Sequence, residues 1–258
     1  MNLKQKLDYH YKAFDKSQIS PDPLQFLHLF NREKDIEAIG FISSLFAYGN
    51  VKQIVNTLNR ILAITNYQPF EFIINFKKKD YTYKLKGLKH RFYNEDDIIL
   101  LFYMLNEVYD KFDSLKHLFI MNYKINSDIK KSISLLSDYF ISLAKKMRSR
   151  NISLGLKFMF PSPEFGSACK RMNLFLRWMV RKDELDFGLW NEIPTNKLII
   201  PVDTHVAKVC KSLSLTKRKN ADWKMAEEIT NNLKRFDKDD PVKYDFAICH
   251  IGMRKIKF

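Results

Sequence analysis

The chain has 258 residues, 46% of them apolar, 28% charged and 14% aromatic, a composition that can bury a sizeable core and lies outside the disordered class. Lys and Arg number 44 against 29 Asp and Glu; the net charge of +15 attracts polyanions and makes nucleic acid the first partner to test. Seven glycines, against a usual share of about 7%, are too few for the phosphate loops and tight hairpins of P-loop, Rossmann or β-rich folds.

Apolar residues recur at three and four along the whole sequence, which predicts an all-α protein. Helices are expected at about 2–16, 23–31, 34–47, 50–66, 69–78, 94–111, 113–123, 127–149, 167–182, 203–214, 222–236 and 240–250, give or take ~2 to 4 residues. Several starts carry short polar or acidic residues that accept from free N–H groups: Asn94 with Asp96 and Asp97, Ser127 before Asp128, Asp203, and Asp222. The segments Ile36–Phe46 and Ile98–Leu105 are apolar nearly all round, as central helices of a bundle are. No repeat or Gly/Ser-rich linker divides the chain, so residues 1–258 are expected to form one compact unit of two packed helical lobes. The central lobe would span 34–165, and the terminal lobe 1–33 plus 166–258.

The cysteines Cys169, Cys210 and Cys249 are odd in number and show no C-x-x-C spacing, so they read as buried thiols, with neither disulfide nor metal site expected. The N-terminus lacks an apolar secretion segment, and the longest apolar run falls far short of the ~20 residues that span a bilayer. The expectation is a soluble cytoplasmic protein with no membrane contact, acting as a monomer. Basic residues cluster at Lys77–Arg91, at Lys145, Lys146, Arg148, Arg150 and Lys157, and at Lys217, Arg218 and Lys219. Each cluster reads either as a solvated helix end or as a phosphate-tracking, DNA-binding face.

The most informative stretch runs from Pro161 to His205. Pro163 and Gly166 supply a turn, and Ser167 or Gly166 can cap the helix that follows. That helix places Lys170, Asn173 and Arg177 at spacings of three and four, on one face suited to phosphate or an abasic sugar. Downstream, an apolar approach ends in Pro201-Val202-Asp203-Thr204-His205-Val206 and opens a new helix.

This six-residue motif, with a lysine-bearing helix upstream, resembles the helix-hairpin-helix GPD superfamily of DNA glycosylases. The separation from Lys170 to Asp203 (203 − 170 = 33) is closer to the archaeal 8-oxoguanine glycosylase branch than to endonuclease III. Together with Phe165–Arg181 and Asp240–Phe246, the motif is similar to a bacterial branch of that superfamily, a likeness covering most of the chain. The hairpin itself is degenerate: where the superfamily has Leu-Pro-Gly-x-Gly, this chain has Phe160-Pro161-Ser162-Pro163-Glu164-Phe165-Gly166, and Lys170 comes half a turn late. The four-cysteine pattern that ligates an iron-sulfur cluster in many relatives is absent, and no cofactor is expected.

The resemblance implies a two-lobed helical glycosylase fold and removal of an oxidised purine such as 8-oxoguanine from damaged double-stranded DNA. Its lysine would be Lys170, a Schiff-base nucleophile permitting AP lyase cleavage, and its carboxylate Asp203, stabilising positive charge at the sugar. His205, Arg171, Asn173, Arg177 and Trp178 would contact the substrate, and exposed aromatics such as Trp178, Trp190, Phe165 or Tyr48 would hold the flipped base. Plainer readings stand beside these. Asp203 alone is a good N-cap, Lys170 a surface lysine, His205 a satisfied helix histidine, and the aromatics core residues. The rival functions are a non-catalytic DNA- or RNA-binding protein on the same scaffold and a helical protein-interaction scaffold with a basic face.

Overall fold

Short polar side chains accept from free backbone N–H groups at most of the α-helix starts of the computed structural model. It describes residues 1–148 and 151–254, with side chains through Gly252. Among the described residues there is no β-strand, only isolated bridges at His90–Tyr93, Ser167–Asp222 and Lys182–Phe187. The protein is all-α, and none of its described helices is long and apolar enough to cross a membrane. The chain divides into two compact units, one of Met1–Ser20 with Pro163–Phe258 and one of Pro21–Ser162.

The first unit begins with α1 (Leu3–Ala13), opened by a reciprocal Asn2–Gln5 capping box. The Pro21–Ser162 unit then contributes α2 (Glu33–Phe46), α3 (Val51–Ile64), α4 (Pro69–Ile74), α5 (Glu95–Phe112), α6 (Leu115–Asn126), α7 (Ile129–Met147) and α8 (Leu154–Met159). Every residue of α2 from Ile36 to Phe46 is buried, against a 3-10 stretch Pro23–Leu29, α3 and α4. A helix was expected at about 23–31. Pro23 and the Asp22 cap start it, but it stays 3-10. On α2, Glu37 is buried because its carboxylate has work to do. It accepts from Tyr109 Oη at 3.0 Å and from the first backbone N–H groups of α6, Leu115 at 2.9 Å and Lys116 at 3.0 Å. Helix α5 starts with an Asn94–Asp97 capping box, and α7 is capped by Asp128 rather than by Ser127, which ends α6 in the left-handed region. The short α8, which periodicity did not reveal, is capped by Ser153; a Cβ on Gly155 would come 2.3 Å from Asp97 Oδ2.

The chain then returns to the first unit with α9 (Lys170–Val180), α10 (Thr204–Ser212), α11 (Trp223–Leu233) and α12 (Asp245–Arg254). Val206 and Cys210 of α10, Ile229 and Leu233 of α11, and Ile248 of α12 share one core with Leu7 of α1. Helices α10 and α12 approach closely at Gly252, where a Cβ would lie 3.0 Å from Val209 Cγ2. Tyr244, fully buried, ties the C-terminal segment to α1 by donating to Asp8 Oδ1 at 2.7 Å.

Candidate functional site

The segment before α9 was expected to be capped by Ser167 or Gly166 and is built otherwise. A 3-10 turn at Pro163–Phe165 leads to Gly166 at φ +83°, and Cys169, also left-handed at φ +46°, is the N-cap, its side chain making no capping hydrogen bond. Ser167 Oγ accepts from Cys169 N at 3.2 Å, inside the loop, so the helix starts only at Lys170. The start of α11 anchors this loop: Trp223 N donates to Gly166 O at 3.1 Å.

At that first helical position Lys170 meets Asp203. The Nζ to Oδ2 distance is 3.0 Å, and the side chains are 29% and 22% exposed. Asp203 is at the same time the N-cap of α10, with Oδ1 accepting from His205 N and Val206 N, both at 2.9 Å. One carboxylate thus caps a helix with one oxygen and pairs a lysine with the other. Burial works to raise its pKa, but the Lys170 charge, the Val206 N–H and the Lys170 hydrogen bond outweigh it and hold the carboxyl below its ordinary value. His205 is exposed and adds a smaller pull in the same direction.

The rest of the expected substrate face is inside the protein. Residues Arg171 to Val180 are all buried, so α9 is an internal helix. Asn173 donates to Ala168 O at 3.1 Å and leaves its Oδ1 buried with no partner. Arg177 is held between Asp245 Oδ2, at 2.5 Å from Nη1, and Asp186 Oδ1, at 3.3 Å. Trp178 is 0% exposed and Trp190 1%, packed edge-on against Phe175, so neither presents a face to a flipped base. These positions correct the expectation of an open Lys170–Asn173–Arg177 face and of exposed tryptophans. The reason is a set of acidic partners that the helical spacing did not disclose.

Arg181, just past α9, bonds Asp186 and reaches Asp240 and Asp183 at 2.8 and 2.9 Å. Two arginines and four carboxylates form one network in which Arg177, Arg181, Asp186 and Asp245 are buried. Burial opposes the Arg181 charge, but Asp240 and Asp186 more than restore it and its pKa rises. Burial raises Asp186, and pushes Asp245 up to about 6 despite the Arg177 contact. Asp245 lies within electrostatic reach of Asp203, which raises its pKa, and of Lys170, which lowers it; its Oδ1 is buried without a partner. Arg177 and Arg181 stand at i, i+4 on either side of Trp178, Met179 and Val180, and that spacing alone does not mark them as buried.

Among the basic residues, Lys145, Lys146 and Lys157 are exposed in the Pro21–Ser162 unit, and Arg148 reaches Asp96 at 3.4 Å. Arg150 lies outside the described residues. In the other unit Lys217 and Lys219 are exposed, while Arg218 pairs with Asp222 at 2.8 Å. Cys169 and Cys210 are buried, and burial pushes the Cys169 thiol up to about 11; Cys249, expected to be buried, is half-buried. No group of three or more His, Cys, Asp or Glu among the described residues is arranged to hold a metal ion.

The profile of a family described as "Protein of unknown function (DUF2400)" matches residues 22–254. The chain belongs to that family. No curated protein and no solved structure matches it. The family match spans the Lys170–Asp203 pair and the arginine network beneath it.

Proposed function

We propose that this protein is a DNA base-excision glycosylase in which Lys170 is the nucleophile and Asp203 its partner carboxylate. The observation that supports this reading is the 3.0 Å contact between two side chains 33 positions apart (203 − 170), one the first residue of α9 and the other the N-cap of α10, each partly exposed. Asp203 can take the proton that the Lys170 ammonium must give up before its lone pair attacks C1′. As the N–C1′ bond forms, the glycosidic bond breaks, its electron pair leaves with the base, and the base takes up the proton that Asp203 had accepted. One Nζ proton then passes to O4′ as the C1′–O4′ bond breaks, which opens the sugar ring, leaves a protonated imine on Nζ and permits strand cleavage at the abasic site. The substrate class is damaged double-stranded DNA, with an oxidised purine such as 8-oxoguanine as the base, and the +15 charge favours polyanion binding.

Duplexes carrying single lesions, incubated with borohydride, test the proposal: one of them is expected to release its base and leave a reduced covalent adduct. Lys170→Gln is expected to abolish the adduct and keep DNA binding. A second reading, a non-catalytic nucleic-acid-binding protein, is favoured by the fact that both Asp203 oxygens are already engaged. It predicts salt-sensitive, lesion-independent binding, with no base release from any duplex.

A further inference from the structure

Residues 90–93 form a tight turn closed at both ends, His90 N donating to Tyr93 O and Tyr93 N to His90 O, each at 2.9 Å. The end residues are buried anchors. Tyr93 Oη donates to Leu45 O at 3.0 Å, His90 Nδ1 lies 3.0 Å from Thr57 Oγ1, and Tyr48 Oη donates to His90 O at 2.8 Å. Between the anchors Arg91 is held at φ +52°, in the left-handed region that non-glycine residues rarely enter. Its side chain runs over Gly49, where a Cβ would come 2.4 Å from Nη1.

What this rigid turn holds out is an aromatic surface. Phe92 is 59% exposed, stacked nearly parallel to Tyr48 with centroids 6.2 Å apart, and Phe158 of α8, 39% exposed, meets Phe92 edge-on at 5.1 Å. The Arg91 guanidinium lies 5.5 Å from both the Tyr48 and Phe92 ring centroids. Leu154, one turn before Phe158, is 83% exposed. Exposed Lys89 and Lys157 adjoin the two aromatic segments in sequence. Buried hydrogen bonds and a strained backbone thus hold an aromatic ring in water beside a guanidinium. Core packing would place that ring inside. A second copy of this chain would bring like charges together, and an apolar segment would leave the cations unexplained. An unpaired base with its phosphates supplies both a π face and negative charge.

We propose that Tyr48, Phe92 and Phe158 form a stacking platform for an unpaired base of single-stranded DNA, with Arg91, Lys89 and Lys157 neutralising the flanking phosphates. The proposal uses no residue of the Lys170–Asp203 pair and stands whether or not that pair excises bases. Fluorescence anisotropy of the full chain with a short fluorescein-labelled oligothymidylate, titrated over salt, tests it. Phe92→Ala is expected to weaken binding roughly tenfold with the salt slope unchanged, Phe92→Tyr to keep it, and Arg91→Gln to lower the slope by about 0.7. Because Phe92 is exposed, its variants should melt with the wild type. Wild-type affinity in a Phe92→Ala, Phe158→Ala double variant would overturn the platform. So would loss of self-association in that variant without a change in DNA binding, which would assign the face to a second copy. Platform-dependent binding in a protein that releases no base would remove the glycosylase proposal alone.

Discussion

Helix α9 carries two cation–carboxylate sites that differ in one physical respect. At its first residue, Lys170 meets Asp203 with both side chains partly in water, whereas two turns further Arg177 meets Asp186 and Asp245 with all three out of it. The partly exposed site can exchange its partner for solvent without leaving a charge stranded. The buried one cannot, because the Arg177 guanidinium neutralises Asp186 and Asp245, whose side chains are almost wholly out of water. Similar chemistry on one helix therefore divides into a partly solvated pair and a buried network that holds the helix in place.

The sharpest way to break that distinction is to remove a buried cation. Arg177→Ala strands Asp245 and weakens the hold on Asp186, so a loss of about 3–5 kcal/mol is expected in urea unfolding. If the variant unfolds like the wild type, the network does not anchor α9. The two sites should also respond to pH in opposite senses. Asp245, raised from 3.8 to about 6 by burial, binds more protons folded than unfolded between those values. Its contribution is therefore full below about pH 4 and is lost as pH rises through about 6, by up to ~3 kcal/mol. The measurement is the unfolding free energy of wild type minus that of Asp245→Asn, which should fall across this window. Asp203, held below 3.8, contributes stability that is present above that pH and lost on acidification through its folded pKa. The corresponding difference for Asp203→Asn should shrink as pH falls below about 4.

The helical character of the chain was legible because apolar residues recur at three and four in α10 and α11, the centres of α2 and α5 are apolar nearly all round, and the caps of α5, α10 and α11 are written as Asn94, Asp203 and Asp222. The Lys170–Asp203 meeting was legible only through the motif around Asp203; spacing alone leaves a surface lysine and a cap. Hidden from that reading was the inside of α9. An arginine at a helical spacing from a lysine looks like part of the same face, and whether it faces water depends on carboxylates at 186, 240 and 245 that only tertiary folding brings near. The burial of Trp178 follows from the same fact, since a helix whose charges are neutralised internally can be enclosed on all sides. Left-handed Cys169 and Arg91 carry no sequence signature, as neither is the Gly or Asn that usually marks that conformation.

Substitutions at Asp203 separate its two duties and carry smaller effects. Asp203→Ala removes both the cap and the lysine partner; the lost cap alone costs about 1 kcal/mol, with a further fraction from a pair that is partly screened. Asp203→Asn keeps an amide oxygen that can accept from His205 N and Val206 N, and asparagine caps helices as well as aspartate does, so its cost is expected to be below about 1 kcal/mol at pH 7. Only the charge facing Lys170 is then gone. Thermal melting of the two variants checks the stability order. Borohydride trapping of the Asn variant, as stable as a good cap allows, reads the chemistry free of the fold. Unimpaired trapping would leave Asp203 a cap and nothing more, and the proton acceptor for Lys170 would have to be sought elsewhere.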